Sequence, residues 1–124
     1  MDKPKTALDA YKSFIDELVS CAKERGGGPR LAELGNLILE SKADEKAFKK
    51  LFSQLSSSQR DLLVRVLQNE RQGAIHDVLA ALTWQIDCNG FALTFHGEPM
   101  QYIEGGLHYD FIGRISGEWD WPSK

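Results

Sequence analysis

Apolar residues recur at three- and four-residue steps through the first two thirds of the chain and then switch to alternation. The pattern predicts helices followed by short strands. From residue 6 to 25 the stripe is Ala7, Leu8, Tyr11, Phe14, Ile15, Leu18, Val19 and Ala22, with Lys12, Asp16, Lys23 and Glu24 opposite. Thr6 precedes it as a helix N-cap. Gly26-Gly27-Gly28-Pro29 ends it, because glycine accepts the left-handed cap conformation and proline cannot continue a helix.

A second helix is expected over 31–41 from Leu31, Leu34, Leu37 and Ile38, weakened by Gly35. A third is expected over 44–55, with Asp44 as cap and Phe48, Leu51, Phe52 and Leu55 on one face. Ser56-Ser57-Ser58 reads as a turn ending in an N-cap at Ser58. The fourth helix then runs to about Arg71 on Leu62, Leu63, Val66 and Leu67. Gln72-Gly73 interrupts the pattern, and Ala74, Ile75, Val78, Leu79, Leu82 and Ile86 mark a fifth helix that stops near Asn89-Gly90. Pattern alone leaves open whether these last two are one kinked helix.

After Gly90, Phe91, Leu93 and Phe95 alternate with Ala92, Thr94 and His96, which is strand spacing. His96 to Pro99 forms a turn, Met100 to Ile103 a second strand candidate, and Glu104-Gly105-Gly106 a second turn. Leu107, Tyr109 and Phe111 alternate as a third strand candidate; the competing reading is a short helix from Asp110 to Ser116 capped by Asp110. The expected fold is α+β: residues 1–124 as a single domain, about five helices over 1–89, then a small antiparallel sheet or hairpin within an aromatic, acidic part over 90–124.

Composition changes this picture mainly through charge. Apolar residues at 42% and charged residues at 27% are ordinary for a folded domain and exclude a disordered chain. The first 72 residues hold 13 of the 15 Lys/Arg and 11 of the 18 Asp/Glu, whereas residues 73–124 hold only Arg114 and Lys124 against seven acids. An acidic C-terminal part repels phosphates, so nucleic acid is not an expected partner. The two cysteines, Cys21 and Cys88, form no CxxC, the N-terminus shows no apolar leader, and no apolar run approaches the ~20 residues of a membrane span. The expectation is a cytoplasmic protein with reduced thiols, no membrane and no cofactor.

Candidate chemistry gathers in the last third. In a strand, His108 and Asp110 point to one side, and His76 beside Asp77 opens the fifth helix. Two histidines and a carboxylate make a divalent-metal site with open positions, so His76, His108 and Asp110 are the metal and catalytic candidates. The competing reading makes them ordinary hydrogen-bonding residues, since no pair has the close spacing of a metal motif such as HExxH. Arg114 is a further catalytic candidate; its competing role is pairing with Asp110, Glu118 or Asp120. Cys88 reads as a buried helical cysteine rather than a nucleophile, and Gly26 to Arg30 as a loop, because it lacks the phosphate-loop pattern.

The end of the chain is rich in aromatic and acidic residues. Tyr109, Asp110, Glu118, Trp119 and Trp121 are the binding candidates, since tryptophan and tyrosine bury large areas at little entropic cost. The competing reading folds Trp119 and Trp121 back onto the core. Gly73 to Ala80 and Gly105 to Arg114, with the closing Trp-Pro, resemble small bacterial domains of unknown function. The resemblance implies that these stretches belong together and implies no activity.

Two functions from different classes follow. The leading one is a non-enzymatic protein-binding or regulatory module presenting its acidic part to a basic protein, for example an immunity-type inhibitor. The alternative is a small metal-dependent hydrolase using His76, His108 and Asp110. A homodimer through the helical face is a third reading, raised by Val64 beside Leu62 and Leu63.

Overall fold

A computed structural model describes residues 3–23 and 39–117. The helix expected over 31–41 therefore falls almost wholly outside the described residues, as do the glycine-proline stop and the candidates Glu118, Trp119 and Trp121. Among the described residues there are four helices and one hairpin: α1 (Ala7–Lys23), α2 (Lys42–Gln54), α3 (Ser57–Asn89), β1 (Thr94–Phe95), β2 (Glu98–Pro99) and α4 (Leu107–Ile115). None of these helices is long and apolar enough to cross a membrane.

The described residues fall into two compact units. One is drawn from Met1–Cys21 and Ala74–Lys124, the other from Ala22–Gly73. One cut of the division, after Gly73, lies one residue from the charge boundary; the other falls after Cys21. The division does not follow the helix-to-strand boundary at residue 89.

In the second unit the ends of α2 and the start of α3 are held by neighbours in sequence, while Gln68 donates to the Ala22 carbonyl from farther along the chain. Ser41, not Asp44, is the N-cap of α2: its hydroxyl accepts from the Asp44 N–H at 3.3 Å. Ser56, not Ser58, caps α3, by a reciprocal pair. Its Oγ accepts from the Gln59 N–H at 3.2 Å, and its own N–H donates to Gln59 Oε1 at 2.8 Å. Arg60 closes the end of α2 by donating to the Phe52 and Ser53 carbonyls at 2.9 and 3.1 Å. Phe52 is buried and stacks on Phe48. The interruption expected at Gln72-Gly73 does not occur, and α3 runs unbroken through Gly73. The two helices expected on either side of it are therefore one.

The first unit has its core in Tyr11 and Ile15 of α1, Leu79 of α3, and Leu107, Phe111 and Ile115 of α4. Thr6 caps α1 as expected, accepting from the Asp9 N–H at 3.1 Å. The sheet is smaller than the alternation suggested: β1 and β2 pair antiparallel, Thr94 with Pro99 and Phe95 with Glu98. His96 and Gly97 turn the chain with φ of 49° and 84°. Positive φ at both positions is the two-residue turn that matches strand twist, and glycine takes the second position without strain. The strand expected at Met100 to Ile103 is irregular chain.

The third expected strand is a correction. Leu107 to Ile115 is helical because Leu107, Phe111 and Ile115, four residues apart, all reach the core. The period-two signal of Leu107, Tyr109 and Phe111 fitted as well on paper, but Tyr109 faces outward. The cap is also misplaced in the alternative reading: the helix begins at Leu107, and Gly106 precedes it.

Candidate functional site

Gly106 has no side chain with which to cap α4. Thr83 supplies the missing acceptor from α3, its buried hydroxyl taking the Leu107 N–H at 3.0 Å. The same hydroxyl lies 3.4 Å from His108 Nδ1. A Cβ on Gly106 would stand 2.7 Å from His108 Cε1 and 2.9 Å from Nδ1, so glycine is what lets this ring edge pack down on the backbone.

The neighbouring ring is that of His76. The rings of His76 and His108 have centroids 5.3 Å apart and planes at 77°. His76 Nδ1 is 3.3 Å from Asp77 Oδ1, and Tyr109 packs against His108 with centroids 4.3 Å apart. Burial, and next the neighbouring His76, hold His108 below the usual histidine range; Asp110 and Asp87 act in the opposite direction. The structure thus brings two of the candidate residues into one cluster, although the strand expected to carry His108 is a helix.

Asp110 does different work. It is fully buried. Its Oδ2 accepts from the Ile103 N–H and its Oδ1 from the Glu104 N–H, each at 2.9 Å, and Oδ2 also accepts from the Tyr11 hydroxyl. Three donors satisfy a carboxylate that would otherwise be costly to bury. Burial, and then this bond, push the Tyr11 phenol far above its ordinary value. Asp110 ties α1, the loop before α4 and α4 itself together, and a group at 0% exposure is not a surface contact for a partner. Among the described residues, no group of three or more His, Cys, Asp or Glu is placed to hold a metal ion.

Arg114 pairs with Asp16 of α1 at 2.7 Å; Glu118 and Asp120, two of the partners expected from sequence, lie outside the described residues. Cys88 is exposed, against the expectation of a buried cysteine. Tyr102 donates to Asp87 at 3.2 Å, and burial followed by that bond raises its phenol.

A second apolar face was missed by sequence reasoning. On the half of α3 in this unit, His76, Leu79, Thr83 and Asp87 lie along one side, while Ala74, Asp77, Val78, Ala81, Trp84 and Cys88 lie along the other. Val78 is 67% exposed and Trp84 57%; Phe91, just past the helix end, is 57%. Reading Val78 as core hid this face. The available signal was Ala81, Trp84 and Cys88 at helical spacing, off the inward stripe.

The chain belongs to the family described as Family of unknown function (DUF6547), whose sequence model matches residues 4–123. Neither a curated protein nor a solved structure matches it at a significant level.

Proposed function

With a family of no assigned activity as premise, we propose that the unit containing α4 is a protein-binding module. Its exposed α3 face, Val78, Ala81, Trp84 and Cys88, would dock on a basic protein surface. The observation that carries this reading is a large aromatic and a β-branched residue held in solvent on a regular helix. Charge names the occupant. The unit has eleven acidic residues against five basic, with Asp77 on the face itself. Such an excess of acid favours a cationic partner and speeds its encounter. Tyr109, 61% exposed on α4, is a second aromatic contact of the same unit. An inhibitor masking the basic substrate groove of another protein is one form this module would take.

The test uses paired baits, wild type and Trp84→Asp, with captured proteins identified by mass spectrometry. Support is a basic protein held by wild type, released by salt and lost with Trp84→Asp. Capture indifferent to the substitution, or capture of acidic proteins alone, contradicts the reading. Self-association through the same face would appear as a dimer in sedimentation velocity that Trp84→Asp dissolves.

A further inference from the structure

Two imidazoles whose residues lie 32 positions apart in sequence meet at a ring separation of 5.3 Å. Zinc binds an imidazole nitrogen at about 2.0–2.1 Å, so two rings sharing one tetrahedral ion have their centres about 5 Å apart. We propose that His76 and His108 form a binding site for a divalent transition metal of the zinc class, each ligating through Nε2. The positions left over are open to water or to a donor from outside the chain.

Both rings are arranged as ligating histidines usually are. A histidine on a metal commonly donates its other ring N–H to an oxygen, which fixes the tautomer and aims the free nitrogen. His76 Nδ1 has Asp77 Oδ1 at 3.3 Å, and His108 Nδ1 has Thr83 Oγ1 at 3.4 Å. With Nδ1–H donating in each case, Nε2 keeps its lone pair. The His108 ring is further held by its fit against Gly106, where its Nδ1–Cε1 edge fills the space of a Cβ. Thr83 is itself anchored by the Leu107 N–H. These groups are placed before any ion arrives, which lowers the cost of binding.

The surroundings favour a cation. Asp77 adjoins His76, and Asp110 and Asp87 act electrostatically on His108. Nitrogen donors select zinc, copper or nickel over magnesium or calcium, which require oxygen. His76 is partly open to solvent, so an ion has a way in. The ligands are separate from the docking face, because His76 and Thr83 lie on the other side of α3 from Val78 and Trp84; Asp77 alone borders both.

The test is calorimetric titration of the full chain, without a polyhistidine tag, with Zn²⁺, alongside Co²⁺ absorption as a readout of nitrogen ligation. The expected result is one ion per chain. His76→Ala and His108→Ala should each weaken binding at least about tenfold, and Asp77→Asn by a smaller factor. His96→Asn, at the hairpin turn, should leave it unchanged. If His108→Ala loses its fold by circular dichroism, the partly exposed His76→Ala carries the test alone. No saturable binding up to about 1 mM Zn²⁺, or binding that survives His76→Ala, overturns the proposal. Neither result bears on the paired-bait experiment.

Discussion

The unit containing α2 and the unit containing α4 differ in how α2 and α4 are held in place. In the first, the ends of α2 and the start of α3 are capped from within eight residues: Ser41 with Asp44, Ser56 with Gln59, Arg60 with Phe52 and Ser53; Gln68, which donates to the Ala22 carbonyl in the last turn of α1 from 46 positions away, is an exception. In the second, Thr6 caps α1 locally, but Thr83 caps Leu107 from 24 residues away, and Tyr11 and Asp16 reach Asp110 and Arg114 across 99 and 98. Charge separates them too. The α2 unit holds ten basic and seven acidic residues, the α4 unit five and eleven. Local caps make elements that form early and independently. Distant caps make an arrangement that stands or falls as a whole, and this is the kind that can hold two histidines and an exposed helix face in fixed positions.

The contrast is broken most severely at Asp110. Asp110→Asn leaves three donors, one of them the buried Tyr11 hydroxyl, competing for one poorer acceptor. It should destabilise the protein by about 3 kcal/mol in urea denaturation followed by tryptophan fluorescence. Tyr11→Phe removes one of those donors without a cavity and should cost about 1–2 kcal/mol at neutral pH. Its pH signature sharpens the point. The Tyr11 phenol is raised in the folded protein, so its contribution is fully present below the ordinary tyrosine value of about 10 and is lost as pH rises beyond it. Stability of the wild type should therefore fall more steeply above pH 10 than that of Tyr11→Phe. Thr83→Val keeps the shape and deletes the cap of α4, for a loss of about 1 kcal/mol by the same assay. In the α2 unit the smallest effect has the opposite sign. Gly73 is helical with open space where a Cβ would go, so Gly73→Ala should raise stability by up to about 1 kcal/mol.

How much was legible in the sequence follows from the same difference. The Thr6 cap, the α1 stripe and the Phe48–Phe52 face were readable because their signals are local. Ser56 was missed by two residues because a run of three serines offers several equivalent acceptors; Gln59 at the fourth position settles the choice. Thr83 went unremarked, and the reach of Asp110 and Arg114 to Tyr11 and Asp16 was not foreseen, because these partners lie on other elements and no spacing announces them. The α4 segment carried two periods at once, and only the packing of Leu107, Phe111 and Ile115 decides between them. The His76 and His108 pairing was visible as a matter of chain order, but the aim of each ring depends on Gly106 and Thr83.

Amide hydrogen exchange of the wild type and Asp110→Asn, compared residue by residue, tests the central claim most directly. If distant contacts hold the α4 unit and local ones the α2 unit, protection at Ile103, Glu104 and Leu107 to Ile115 collapses in the variant. Protection of α2 then stays as it was. A uniform loss across both units, or unchanged protection at residues 103–115, would contradict it.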